Sequence, residues 1–166
     1  MLYHTRMDNI KEQIVWAAGF LDGEGTITIK RYNYKDRHYY TAYISCSQTI
    51  KGTKAIKFLK DIFGGHIYQW QPKGNRLETI SWCVTSKKAE VCVKRLLPYL
   101  IIKRKQALLL LEFCKTIIRR TEQYRLKESD YKNREELFYQ MRKLNVKGKL
   151  RLQRLSEKTP KGDATV

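Results

Sequence analysis

The spacing of apolar residues changes abruptly at residue 25. Before it, Ile14, Val15, Trp16, Ala17, Ala18, Phe20 and Leu21 are apolar at every helical azimuth. That pattern predicts a short helix, starting near Glu12 and buried on all sides. After it the period falls to two. Thr26-Ile27-Thr28-Ile29-Lys30 alternates, residues 32–36 read as a polar turn, and residues 39–47 alternate again. Ala42, Ile44 and Cys46 share one side of that second run, opposite Thr41, Tyr43, Ser45 and Ser47. Together the two runs predict a long β-hairpin with one apolar and one polar face.

Residues 51–63 return to helical spacing, with Ala55, Ile56, Phe58, Leu59, Ile62 and Phe63 inward and Gly64-Gly65 as the stop. A second hairpin follows over 66–71 and 76–85, around a turn at Pro72-Lys73-Gly74-Asn75. Ser86 is placed to cap a helix over 87–97, which Pro98 ends. A further helix is expected over 103–120, its inner face drawn from Ala107, Leu108, Leu110, Leu111, Cys114, Ile117 and Ile118. The order α-β-β-α-β-β-α predicts an α+β fold. Its four-stranded antiparallel sheet carries helices on one face, with extra C-terminal helices beyond.

At 166 residues the chain has the size of one domain. Residues 1–120 form the expected core, with residues 1–11 loose at its start. Residues 121–158 are highly charged and read as a helical extension of the same domain, with Leu137, Phe138, Met141 and Leu144 as its inward stripe. Residues 159–166 are expected to be a disordered tail.

Charge narrows the class of partner. Lys plus Arg number 34 against 16 Asp plus Glu, a formal net charge of +18. Such an excess suits a polyanion, nucleic acid before an anionic membrane surface. The apolar run before residue 25 is too short to span a bilayer, so no membrane partner is expected. The polar N-terminus lacks the apolar core of a secretory leader. Cys46, Cys83, Cys92 and Cys114 are scattered without a C-x-x-C pair, which favours buried thiols over a zinc site. An intracellular, reducing compartment is the expected location, either microbial cytoplasm or an organelle matrix.

The end of the first helix holds the candidate chemistry. Gly19, Gly23 and Gly25 fall within seven residues. Each glycine inside a helix costs roughly 1 kcal/mol relative to alanine. Gly19 and Gly23 lie four apart, on one face, and would let a second backbone approach closely. Asp22 and Glu24 close this otherwise uncharged segment. Buried carboxylates are costly unless they are capped or bind a cation. A glycine-capped helix end with an acidic turn is the plain structural alternative. No second copy of the stretch exists in the chain, so the helix has no like partner within it.

Residues 17–25, Ala-Ala-Gly-Phe-Leu-Asp-Gly-Glu-Gly, resemble the signature of the LAGLIDADG homing endonucleases. The match holds at Gly19, Asp22, Gly23 and Gly25. Ala17 replaces the usual Leu, and Glu24 replaces the usual final Asp. The predicted element order also resembles the family's core from residue 12 to about 120. The resemblance implies a homodimeric, metal-dependent, site-specific DNA endonuclease of the single-motif type, borne by an intron or similar mobile element. It implies Glu24 and the Gly23 carbonyl as metal ligands, and Ala18, Gly19, Asp22 and Gly23 at the dimer interface. Asp22 would serve the helix end as well. Gln48 would order water near the metal, and Lys103 would counter charge on the scissile phosphate. Either Lys51 or Lys54 would complete the basic pocket. An oxygen-only site suits Mg2+, with Mn2+ able to substitute and Ca2+ supporting binding without cleavage. The same scaffold could instead serve an RNA-splicing maturase or a non-cleaving DNA-binding protein. A basic protein that binds structured RNA is a more remote alternative.

The polar sheet face is expected to meet double-stranded DNA. It carries Thr28, Lys30, Tyr32, Tyr39, Thr41, Tyr43, Ser45, Tyr68, Trp70, Arg76, Thr79 and Ser81. These groups suit base edges, thymine methyls and phosphates, and a two-stranded ribbon fits the major groove. A strand of about nine residues covers ~30 Å, or about nine base pairs. Two such half-sites make a pseudo-palindromic target of roughly twenty base pairs. Trp70 could alternatively pack against the C-terminal helices.

Overall fold

The computed structural model describes residues 9–35, 37–71, 74, 77–117 and 127–146. Residues 1–8, Arg76, Ile118 and the tail over 159–166 lie outside those described. Helix α1 (Ile10–Glu24) starts before Glu12 because Asn9 supplies a cap: its side-chain oxygen accepts from the Lys11 amide at 2.9 Å. The helix runs straight into strand β1 (Gly25–Tyr34) with no loop between them. Gly25 permits this, since a Cβ there would lie 2.6 Å from Leu21 Cδ2 and 2.7 Å from the Leu21 carbonyl oxygen.

Strand β1 pairs antiparallel with β2 (Arg37–Thr49), from Gly25 against Cys46 to Tyr34 against Arg37. The polar turn expected over 32–36 is therefore shorter than its composition suggests, because Tyr32, Asn33 and Tyr34 remain in the strand. A 3-10 turn (Ile50–Gly52) leads into α2 (Thr53–Phe63). Gly64 and Gly65, at φ 68° and 93°, reverse the chain into β3 (His66–Trp70). Strand β4 (Thr79–Thr85) returns, and the sheet order is β1-β2-β4-β3 with every pair antiparallel. The expected α+β architecture is observed.

Helices α3 (Ser86–Leu96), α4 (Arg104–Lys115) and α5 (Glu128–Leu144) complete the described elements. The core lies between helices and sheet. It joins Ile27, Ile29, Ala42, Ile44, Ile80, Trp82 and Val84 of the strands to Leu21, Ile56, Leu59, Val93, Leu96 and Leu110 of the helices.

Four readings of the sequence change. Helix α1 is not buried all round within one chain. Ala17, Ala18, Leu21 and Asp22 face the core, whereas Val15, Gly19 and Gly23 form an open strip on the other side. Ser86 does not cap α3. It is the helix's first residue, at φ 51°, and its hydroxyl meets Thr41 Oγ1 at 3.0 Å. Helix α4 turns Phe113 inward and leaves Leu108 and Ile117 exposed, a shift of helical phase that an apolar run on several faces conceals. In α5, Leu137, Phe138 and Met141 are buried but Leu144 is exposed.

Candidate functional site

The acidic turn is built by two helices that cap each other. Asp22, only 7% exposed, receives the amides of Ile101 and Ile102 on Oδ2, at 2.6 and 3.1 Å, and that of Lys103 on Oδ1 at 2.9 Å. These amides lead into α4, where the helix dipole favours a negative charge. In return the Lys103 ammonium donates to the Asp22 backbone carbonyl, at the C-terminal end of α1. There a cation is favoured by the same dipole. Asp22 is thus committed to its own chain. Ala18 is also fully buried in that chain. Of the residues assigned to the dimer interface, only Gly19 and Gly23 stand on the open strip, with nothing within 4 Å of a Cβ at either.

Glu24 is exposed at the helix–strand junction. Gln48 reaches it from the end of β2, its Nε2 donating to Glu24 Oε2 at 3.1 Å. Gly52 allows the 3-10 turn to close behind Gln48, where an added Cβ would sit 2.6 Å from Gln48 Cβ. Cys46 lies beneath, paired in register with Gly25. Burial pushes its thiol up to about 11, the Glu24 carboxylate adds to the shift, and Lys103 opposes it. Glu24, Gln48 and Lys103, far apart in sequence, therefore share one electrostatic neighbourhood. Lys51 sits in the 3-10 turn and Lys54 in the first turn of α2, both exposed.

The donors here suit a hard cation. Glu24 offers an exposed carboxylate, and the Gly23 carbonyl belongs to the last helical turn, which lacks intrahelical donors. One carboxylate is too few for a closed site. Among the described residues no three His, Cys, Asp or Glu side chains gather as a ligand set. An oxygen-binding ion held here would draw further ligands from water and from a bound molecule.

The second part of the site is the sheet face opposite the helices. Cross-strand register puts Thr28 beside Tyr43, Lys30 beside Thr41, and Tyr32 beside Tyr39. It puts Tyr68 beside Ser81 and Trp70 beside Thr79. Ser45 shares this face through its pairing with Cys83. Trp70 stays exposed on the sheet rather than packing under α5. Arg76, assigned to the same face, lies outside the described residues. Two pairs of side chains are pre-set: Lys30 Nζ sits 3.4 Å from the centre of the Tyr43 ring, and the Ser47 and Ser81 hydroxyls meet at 2.7 Å. Thr26, Thr49, His66 and Thr85 belong to this face as well. Strict alternation extended to the strand ends would have found them. The role of Asp22 toward α4 leaves no signal in sequence spacing.

The family described as LAGLIDADG endonuclease matches the chain over residues 17–117. No curated protein matches it. Among solved structures, the chain is similar to the homing endonuclease I-CvuI, crystallised with its target in the presence of calcium. That likeness is 22% in identity, covers 84% of this chain and 85% of that one, and has a TM-score of 0.69. For the archaeal intron-encoded homing endonuclease I-Vdi141I, complexed with DNA, the identity is 19%, the coverage 85% and 89%, and the TM-score 0.68. For I-GzeII, a LAGLIDADG homing endonuclease in complex with a DNA target, the identity is 17% and the TM-score 0.61. There 90% of this chain covers only 49% of the other. At these identities the likeness is one of fold.

Proposed function

Because the chain belongs to the LAGLIDADG endonuclease family, we propose that it is a homodimeric endonuclease that makes a double-strand break in a long pseudo-palindromic DNA site. One observation carries the reading. The open strip of Val15, Gly19 and Gly23 on α1 ends at Glu24, and Gln48 and Lys103 converge on the same point. A second copy packed on that strip about a two-fold axis brings both Glu24 side chains to the axis. Coverage of about half of I-GzeII, but most of I-CvuI, supports one fold unit per chain.

Each residue then has a task. Glu24, with the Gly23 carbonyl, would hold a divalent ion. Magnesium, when bound, supplies an activated water for in-line attack on the phosphodiester and charge stabilisation for the leaving 3′ oxygen. Gln48 keeps Glu24 oriented and offers its remaining polar capacity to water. The Lys103 ammonium has three donors, so it can keep its bond to Asp22 and face a phosphate with another. The same oxygen ligands would accept manganese in place of magnesium, and calcium would be expected to support binding without cleavage. Crystals of I-CvuI with DNA, one in calcium and one in magnesium with the DNA not cleaved, are consistent with divalent metal use.

The polar sheet face reads the target through the major groove, over roughly twenty base pairs in all. The frame is intron-borne or similarly mobile. Its enzyme works in a reducing compartment, consistent with four cysteines buried as free thiols. Among the described residues no helix is long and apolar enough to cross a membrane.

The test is digestion of a library of randomised duplexes in magnesium, with sequencing of the cut ends. Recovery of one pseudo-palindromic site supports the proposal. Tight binding of structured RNA with no cleavage of any duplex would favour a splicing role instead.

A further inference from the structure

The two hairpins are unequal in length. Strand β4 pairs with β2 from Tyr43 onward, so, among the described residues, 37–42 of β2 have β1 as their sole strand neighbour. The outer half of the β1–β2 hairpin is thus a two-stranded ribbon projecting past the sheet. Such a ribbon is marginal in water without an apolar backing. Its polar face carries Lys30, Tyr32, Tyr39 and Thr41. It also lies farthest from α1, since Tyr34 is about 30 Å along the strand from Gly25.

Helix α5 supplies the backing. On the ribbon's hidden face the Tyr40 ring lies 5.5 Å from Phe138, and its hydroxyl donates to Glu135 Oε1 at 3.1 Å. The Arg31 guanidinium stands 5.2 Å from the same Phe138 ring and donates to Tyr139 Oη at 3.5 Å. Just past the helix, Asn145 Nδ2 donates to the Ile27 carbonyl at 3.0 Å. Helix α5 is itself tied to α4. Arg134 donates to the Thr116 hydroxyl at 3.2 Å and to the Thr116 carbonyl, and Gln106 donates to the Leu144 carbonyl at 3.4 Å. Burial raises the Tyr40 hydroxyl well above its usual range, with help from Glu135 and Tyr131, so it remains a donor at any working pH.

We infer that α5 is a brace for the outer ribbon, and that Tyr40, Arg31 and Phe138 are positioning residues that set specificity at the outer base pairs of each half-site. This rests on the reading of the polar sheet face as the DNA face. None of the three is on that face. They act by holding Lys30, Tyr32 and Tyr39 in register with the groove. Inner positions, read where β4 flanks β2, do not depend on the brace, and neither does the junction at Glu24.

The experiment uses the full chain with Tyr40→Phe, which removes only the hydroxyl, with Phe138→Ala, and with Phe138→Leu as the conservative rescue. Hydrogen exchange of the free protein is read first. Amides over 30–41 should exchange at least about tenfold faster in Phe138→Ala and measurably faster in Tyr40→Phe, with those over 44–48 and 80–84 unchanged. Binding to randomised duplexes in calcium is read second. A correctly read base pair carries roughly fivefold or greater preference. That preference should collapse at outer positions and persist at inner ones, while the cleavage rate on saturating parental target is unchanged. Phe138→Leu should recover most of both effects. Equal losses at inner and outer positions, or ribbon exchange as slow as in the parent in both disruptive variants, would overturn the inference. A parent protein that selects no sequence would sink the DNA reading and the specificity claim with it. The exchange data would still show whether α5 orders the ribbon.

Discussion

Asp22 offers a calculable perturbation, because all its described side-chain bonds run to backbone amides of one segment. Asp22→Ala leaves the amides of Ile101, Ile102 and Lys103 without their acceptor in a nearly closed environment. An unsatisfied buried donor costs about 1–3 kcal/mol, but the segment can relax toward water, and helix caps rarely exceed about 2 kcal/mol. With three amides each at the low end of that range, the total is about 3 kcal/mol, above that of a single-bond cap. Asp22→Asn is nearly isosteric and should cost less. Its carbonyl oxygen can replace Oδ2, which serves Ile101 and Ile102, while its NH2 then faces the Lys103 amide, donor against donor. Losing that bond and the negative charge near the α4 start should cost about 2 kcal/mol. For a chain of this size each kcal/mol moves Tm by about 2–4 °C. The Asn variant should therefore melt about 4–8 °C below the parent, and the Ala variant lower still. Circular dichroism melts at one fixed protein concentration provide the measurement. Exchange at the amides of 101–103 should quicken in the same order. An Asn variant within about 0.5 kcal/mol of the parent, or less stable than Ala, would refute the capping account.

Other outcomes follow from the same geometry. Gly25→Ala should destabilise each subunit by about 2–4 kcal/mol, because its Cβ meets the Leu21 backbone as well as its side chain, and a urea titration would read it. Gly19→Leu should spare the isolated fold, where a Cβ meets nothing within 4 Å, but block packing of two α1 helices. Sedimentation should then find a folded monomer; a dimer as tight as the parent's would place the interface elsewhere. Iodoacetamide should label Cys46 and Cys114 slowly at pH 8 in the folded protein, since burial holds both thiols near 11, and rapidly in urea. Equal rates in both states would contradict their burial.

Much of this was legible in the sequence, for a physical reason. A strand with one buried face writes its period into the chain, so Ile27–Ile29 and Ala42–Ile44–Cys46 announced both the hairpin and its polar side. Helices that are apolar on several sides write no such phase, so the spacing of α4 predicts Leu108 inward where Phe113 is the buried residue. Convergence of Glu24, Gln48 and Lys103 is a tertiary fact with no periodic trace; it was visible only through resemblance to a family pattern. Asp22 illustrates the remaining gap. The family pattern assigns it to the helix end and to an interface, but which amides it caps is not legible, since they lie about 80 positions away and backbone donors carry no residue identity. Ser86 deceived differently, since a hydroxyl before a helix usually caps it, and here it binds Thr41 instead.

If Glu24 holds the ion needed for cleavage, Glu24→Gln should separate binding from cutting. The change is nearly isosteric, keeps an oxygen for the Gln48 amide, and removes one negative charge per subunit. Binding is measured by gel shift on the selected duplex in calcium, and cleavage on the same duplex in magnesium. Affinity should equal or slightly exceed the parent's, as repulsion of phosphates falls. Cleavage should be slower by about a hundredfold or more, because no charged ligand remains for the ion. A Glu24→Gln protein that binds equally well and cuts at the parental rate would contradict the account, leaving the acidic turn as structure alone.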